Sequence, residues 1–554
     1  MAVASIVFLI IIIRLYFLQI KSTDCFYFNE GTCKENIIEE ASKRQVHLQS
    51  ITAHRGIIFD RNNNILAMSL PSKTLCINPS KLYKKNNKEL FKLSSLLNIP
   101  HQKLLQVISK HKYKKEYYLK RHIEKELYLE IKNKIKNPFI YFINENKRIY
   151  LGGKPFSNII GFTNIDDQGQ EGIEYISNNK LSPMNGLKRV KKDNIGRTIE
   201  TIEIIKKPSP GKNITLTLDK RLQIIAYEIL RKYINKFEAD SGSIVLVESS
   251  SGNILSMANY PSFDPEKRHT FKGNKVKNRV VHDLIEPGST IKPLIVYAGL
   301  ENKIIDESSV IDTSPGIINI EGQEIKDWKY LGQVTPRDVI KLSSNIGAAK
   351  ISRKLSKKEL INFLNEIGFG QSLFLNLPGS KNGFLPNISE LSNAEHFTLG
   401  YGYGLSSSLM HLISAYLILA NNGNRIQIKY LKNKEGYNNE KILNEINTSI
   451  VLDMMKDVVH SNKGTGKKAK VDGYTIYGKT GTVRQIIKGK YSKNRHNALF
   501  VGIIGDPSPE YVAAVIIRNP KTGEGSGGRH AAPVFSEFIQ HSMRIINDID
   551  YEKK

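Results

Sequence analysis

Residues 283–300 read DLIEPGSTIKPLIVYAGL. The Pro287-Gly288 pair marks a turn and the run after Pro293 has an apolar, helical pattern, so Ser289 falls at a helix N-terminus. A backbone N–H at that position has no intrahelical partner and can donate to an oxyanion. Lys292, three residues on, lies one turn along the same face, within reach of the Ser289 hydroxyl. Hydroxyl, neighbouring amine and free N–H together suit an activated nucleophile.

The Ser-x-x-Lys spacing also occurs at Ser109 with Lys112 and at Ser177 with Lys180. Neither follows a Pro-Gly turn or opens an apolar helix. Two further elements follow Ser289 in order. Leu342-Ser343-Ser344-Asn345 sits in a helix–loop region, where Ser343 can relay a proton and Asn345 can donate to a substrate amide. Ser-x-Asn recurs at Ser177, Ser251 and Ser492, so its weight comes from its place after Ser289. Lys479-Thr480-Gly481-Thr482 comes directly after the alternating run from Tyr474 to Gly478, which puts it on a strand edge where an extended peptide can pair. Gly481 lets that backbone come close. A second Lys-Thr-Gly, at Lys521 to Gly523, leads into a Gly-rich loop without strand character. The ordered set is the one shared by serine β-lactamases and penicillin-binding enzymes.

Outward from these motifs, residues 1–21, MAVASIVFLIIIIRLYFLQIK, approach the roughly 20 apolar residues of a spanning helix, with Arg14 able to snorkel. No small-x-small cleavage site follows, so the segment reads as an uncleaved transmembrane anchor. No basic residue precedes it, and the positive-inside rule lends no support to a cytoplasmic N-terminus. Residues 22–208 mix strand-like runs (ITAHRGIIFD, KTLCIN) with basic helical stretches and Gly-rich turns, a mixed α+β pedestal domain. The Pro208-Ser-Pro-Gly211 linker opens a second domain, residues 209–545, and residues 546–554 form a polar tail. Strand candidates at Ser243–Val247, Ile254–Ala258, Tyr474–Tyr477, Ala498–Ile504 and Tyr511–Ile517 enclose a helix-rich middle, and PVFSEFIQHSMRII can pack back on them. The expected fold is α+β: an antiparallel sheet flanked by helices, preceded by the pedestal and the N-terminal transmembrane helix.

Lys and Arg outnumber Asp and Glu by 81 to 53 over 554 residues, a net charge of +28. The excess is spread along the chain. Its densest part, Lys103 to Lys136, interleaves Glu and apolar residues as a solvated amphipathic helix pair does, so no nucleic-acid partner is expected. Cys25 and Cys33 follow the apolar segment and Cys76 sits in a strand-like run; no CxxC occurs, and Cys25 and Cys33 could equally pair or stay free. His282, His496 and His530, near the motifs, read as structural groups. No HExxH or His cluster appears, so no metal and no cofactor is expected.

Several longer segments match as well: AHRGIIFDRNNNILA at 53–67, IGFTNIDDQGQEGIE at 160–174, VKKDNIGRTIE at 190–200, YGYGLSSSLMHLISAY at 401–416 and GGRHAAPVF at 527–535. On these and the three motifs the chain resembles class B penicillin-binding proteins over essentially its whole length. The wording at FTNIDDQGQEG and VKKDNIGRTIE is nearest to the division-type septal transpeptidases, with the elongation type as close alternative.

That resemblance implies a penicillin-binding, serine β-lactamase-like transpeptidase domain and a specific chemistry. Ser289 attacks the penultimate D-alanine carbonyl of a peptidoglycan stem peptide ending D-Ala-D-Ala, and an amine of a neighbouring stem peptide takes the acyl group. Lys292 acts as a neutral base, its pKa lowered by the Lys479 ammonium and by desolvation. Ser343 shuttles the proton and Asn345 holds the peptide amide. Thr480 and Thr482 grip the substrate carboxylate with Lys479, beside Gly481, and the oxyanion sits between the N–H groups of Ser289 and Thr482. The implied partners are a polytopic glycosyltransferase and other division proteins, with β-lactams as inhibitors. The implied location is the cytoplasmic membrane, single-pass, with the catalytic domain extracytoplasmic. A β-lactamase is disfavoured by the anchor and pedestal, and a bifunctional class A enzyme by the absence of a glycosyltransferase signature. A non-turnover β-lactam receptor with the same fold stays open.

Overall fold

The computed structural model describes residues 2–19, 45–83, 88–193, 198–267, 271, 273–320, 322–373, 375–432, 440–487, 489–505, 508–523 and 525–552. They fall into two units, one of residues 1–56, 69–148 and 182–212, the other of residues 57–68, 149–181 and 213–554. The chain crosses between them several times, the last time after Lys212. Cys25 and Cys33 lie outside the described residues.

In the first unit a helix runs over Ala2–Gln19. Its apolar side chains from Ile6 to Tyr16 are exposed. Among the described residues no helix is long and apolar enough to cross a membrane. The densest basic stretch differs from the expected helix pair. Helices His101–Lys110 and Lys125–Lys134 are present, but a strand, Tyr117–Ile123, lies between them. Burial alternates from Tyr117 to Lys120 with the period of two that suits a pleated surface, and the strand pairs antiparallel with the strand Ile65–Ile77. Leu75, Leu90, Leu93, Leu104, Ile108 and Ile131 form the core of this region. Cys76 is a free, buried thiol whose pKa burial pushes up to about 12, which makes it inert. A separate antiparallel sheet consists of Val46–Ile51, Gly186–Lys192 and Thr198–Lys206.

The second unit is built on five antiparallel strands: β1 (Ser241–Glu248), β2 (Ile254–Tyr260), β3 (Thr475–Ile487), β4 (Lys490–Gly505) and β5 (Pro509–Arg518). Their order across the sheet is β2-β1-β5-β4-β3. Val512 to Ile517 on central β5 are fully buried, an uninterrupted apolar run that requires cover on both faces. Helix α1 (Lys220–Lys236) lies over β1 and β2 and packs against α6 (Ala532–Glu552). Helix α2 is Lys292–Glu301 and α3 is Asn345–Lys354; α4 (Leu409–Ala420) lies against β5 and β4, and α5 (Glu445–His460) against β3. The polar residues after 546 continue α6 as far as Glu552.

Two features position the site. Every residue of α2 from Lys292 to Leu300 is buried, so the helix is held on all sides. β3 is an edge strand whose outer row of backbone groups has no ladder partner in the sheet.

Candidate active site

Ser289 lies on a single 3-10 turn, Gly288–Ile291, that leads into α2. Pro293 fits in the first turn of α2, where its missing N–H costs nothing. Gly288 has φ +54°, and a Cβ there would stand 2.5 Å from Val483 Cγ2, so the turn needs glycine for conformation and for space. A Cβ on Gly481 would come within 2.9 Å of Thr290 Cγ2. The nucleophile turn and β3 thus pack closely, each glycine against a side-chain methyl of the other element. Ser289 is partly exposed, and its N–H and Oγ have no hydrogen-bond partner among the described residues.

Lys292 is fully buried and its Nζ donates to the Ser343 carbonyl at 2.7 Å, to Asn345 Oδ1 at 2.7 Å and to Ser343 Oγ at 3.3 Å. Lys479, also fully buried, donates from Nζ to Ser343 Oγ at 2.9 Å and to the Thr480 carbonyl at 3.1 Å. Ser343 is held at φ +62°, a left-handed conformation rare for a side-chain-bearing residue and concentrated at functional sites. Its oxygen accepts from both amines, which leaves its own proton to give.

Burial drives both lysines toward the neutral form. Lys292 falls to about 7, opposed in part by the Asp327 carboxylate. Lys479 is also held well below its ordinary value, by burial first and by the Lys292 charge second. The expected direction for Lys292 therefore holds with burial as its cause, while the repulsion between the amines registers on Lys479.

Asp327 was not legible as a site residue. It is 8% exposed and accepts from Ser344 Oγ at 2.7 Å, Asn345 N–H at 2.5 Å and Ile346 N–H at 3.2 Å. A carboxylate on the first N–H groups of α3 satisfies donors that no carbonyl can reach and complements the helix dipole. It fixes the loop that carries Ser343 and Asn345. Thr480 is buried with its Oγ1 donating to Thr465 Oγ1 at 3.0 Å, and exposed Thr482 accepts the Gly527 N–H at 3.1 Å.

The other candidates lie apart from this arrangement. Ser109 ends a helix of the first unit, Ser177 caps a short helix, and Lys521 to Gly523 form a turn after β5. The His530 ring nitrogens face the Thr522 and Ser526 carbonyls, and His282 meets Asp283. Among the described residues no group of three His, Cys, Asp or Glu side chains could hold a metal ion.

Family models match in both parts of the chain: a penicillin-binding protein transpeptidase domain over residues 242–540 and a penicillin-binding protein dimerisation domain over residues 50–216. The chain belongs to the class B penicillin-binding proteins. Among its relatives in that family, the peptidoglycan D,D-transpeptidase FtsI of Buchnera aphidicola subsp. Schizaphis graminum is 35% identical over 97% of this chain and 93% of its own. The protein of the same name from Escherichia coli is 32% identical over 92% of this chain and 87% of its own. The crystal structure of a peptidoglycan synthetase from Bifidobacterium adolescentis superposes with a TM-score of 0.70 at 23% identity, covering 91% of this chain and 97% of that one, a likeness of fold. In this penicillin-binding protein the three motifs meet at Ser343 Oγ, within the residues matched by the transpeptidase domain.

Proposed function

We propose that this class B penicillin-binding protein is a peptidoglycan D,D-transpeptidase whose nucleophile is Ser289, working in septal wall synthesis. The observation that carries the reading is the meeting of two buried lysines on one serine hydroxyl, beside a serine whose N–H and Oγ are unspent. Neutral Lys292 takes the Ser289 proton as Oγ attacks the penultimate D-alanine carbonyl. The oxyanion is received by the N–H groups of Ser289 and Thr482, and Ser343 passes the proton to the departing D-alanine amine. Asn345 holds the peptide amide. Lys479, Thr480, Gly481 and Thr482 hold the extended donor and its carboxylate along the free edge of β3. The acyl group then passes to an amine of a second stem peptide.

The septal assignment is supported by the relatives that carry the name FtsI. A single-pass membrane anchor is supported by the apolar helix Ala2–Gln19, whose side chains from Ile6 to Leu15 are exposed. On this reading the catalytic domain is extracytoplasmic, the first unit is a pedestal, a polytopic glycosyltransferase and division proteins are the partners, and β-lactams inhibit by acylating Ser289. Peptide mapping after exposure to labelled benzylpenicillin tests the reading, with a lasting adduct on Ser289 expected. Depletion and rescue in dividing cells tests the septal role, with filamentation expected on loss.

A further inference from the structure

Trp328 is the chain's only tryptophan and is 64% exposed, and Tyr330 beside it is 66% exposed. Both follow Asp327, the buried carboxylate that holds the loop of Ser343 and Asn345. A large ring left in water forgoes the burial energy that most aromatics contribute. Trp and Tyr are also the residues that most often anchor a bound partner.

Each ring is nevertheless fixed. The Trp328 indole N–H donates to the carbonyl of Leu342, the residue before Ser343, at 2.9 Å. The Tyr330 hydroxyl meets Ser314 Oγ at 3.1 Å. Tyr330 also rests against Gly316 and Gly332, where an added Cβ would come within 3.5 and 3.6 Å of its atoms. The segment that carries the rings is tied down at both ends: Asp327 N–H donates to the Gly316 carbonyl at 3.2 Å, and the Gly332 carbonyl accepts the Thr313 N–H at 2.8 Å. The polar end of each ring is therefore occupied by the protein while most of the ring surface stays in solvent. A side chain already held in place loses little freedom when a ligand covers it.

The surroundings of the rings are polar. Gln323, Glu324, Lys326, Lys329 and Gln333 are exposed, and Lys329 Nζ lies 4.6 Å from the centre of the Trp328 ring. Apolar ring surface within a hydrogen-bonding rim complements a ligand that has an apolar face and a polar edge. A pyranose sugar is of this kind, with C–H bonds on its face and hydroxyl or acetamido groups around it. A protein partner fits less well, because a stable interface buries about 800 Å² on each side around a core depleted of charge, and here charged side chains interleave the apolar ones.

We propose that Trp328 and Tyr330 form a platform on which an N-acetylated sugar of the peptidoglycan strand stacks. Through the bond from Trp328 to Leu342 the platform is anchored to the loop that carries Ser343, so the sugar chain is held beside the catalytic site. The inference rests on the peptidoglycan substrate of the proposed function and assigns a site to its sugar chain.

The test titrates the full chain in detergent with tetra-N-acetylchitotetraose, a peptide-free chain of N-acetylglucosamine. Because Trp328 is the only tryptophan, its emission reports the platform directly. A saturable change is expected with the sugar and none with Nα-acetyl-lysyl-D-Ala-D-Ala. Tyr330→Ala leaves the bond to Leu342 in place and is expected to weaken sugar binding about tenfold. Trp328→Ala, read by calorimetry, is expected to abolish it, and melting curves check that both variants fold. No emission change with the sugar, an equal change with the peptide, or parental affinity in either folded variant would overturn the platform. So would emission that shifts with protein concentration alone, which would mark a second copy of the chain as the occupant. Benzylpenicillin acylation is measured on the same preparations. Sugar binding without acylation supports the platform and speaks against the proposed function, whereas acylation without sugar binding overturns the platform and leaves the proposed function standing.

Discussion

Lys292 on α2 and Lys479 on β3 place their Nζ atoms on the same acceptor, Ser343 Oγ, at 3.3 and 2.9 Å. Burial drives both amines toward the neutral form, Lys292 to about 7, and the repulsion between the two adds to the shift on Lys479. That is how a lysine can serve as a base under physiological conditions.

Ser343→Ala removes the shared acceptor and the proton path but no core volume. Acylation by benzylpenicillin is expected to slow by roughly two to four orders of magnitude, with thermal unfolding close to the parent. Stopped-flow acylation and a melting curve check the two parts, and an acylation rate near that of the parent would remove Ser343 from the relay.

Acylation is expected to climb with pH through about 7 and level off above it, because Lys292 must be neutral to accept the proton. Asp327→Asn removes the carboxylate that raises Lys292, so the rising limb shifts to lower pH. The same substitution weakens the hold on the first N–H groups of α3 and costs about 1–3 kcal/mol of stability. A pH–rate profile that does not move in Asp327→Asn would show that this carboxylate does not act on Lys292.

Stability is linked to the same groups. The folded chain holds Lys292 at about 7 against 10.5 ordinarily, so between those values the unfolded chain binds more protons and the parent gains stability as pH rises through the window. Lys292→Met has no proton to lose. It is expected to be more stable than the parent at pH 7 by a few kcal/mol, with the gap closing toward pH 10. Denaturant midpoints at pH 7 and 10 check this, and a gap that is independent of pH would contradict it.

Gly288→Ala puts a side chain at φ +54° and 2.5 Å from Val483 Cγ2. A loss of about 1–3 kcal/mol is expected, with slowed acylation because the turn that carries Ser289 must shift. Unchanged unfolding and acylation would show that the turn has room to spare.

Ser289, Lys292, Ser343, Asn345 and Lys479 were legible because their signals are local: a Pro-Gly turn before an apolar helix, a strand before Lys-Thr-Gly, and a fixed order. Asp327 carried no such signal. Asp327 works through the N–H groups of Asn345 and Ile346, and partners of that kind exist only once the chain is folded. Thr480 was legible as a strand residue, but the turn of its hydroxyl toward Thr465 depends on a loop from another part of the domain. The strand at Tyr117–Ile123 was masked by the density of Lys around it, although its alternating burial has the strand period. The five-stranded sheet was readable from its apolar runs, while the return of residues 57–68 and 149–181 to the second unit is a matter of tertiary pairing that no local pattern reports.

The most direct measurement is peptide mapping by mass spectrometry of the full chain after brief exposure to benzylpenicillin, for the parent and for Lys292→Ala. A stable penicilloyl adduct on Ser289 in the parent, and none in Lys292→Ala at the same exposure, is the expected result. An adduct on Ser109 or Ser177, or one that forms on Ser289 at the parental rate without Lys292, would contradict it.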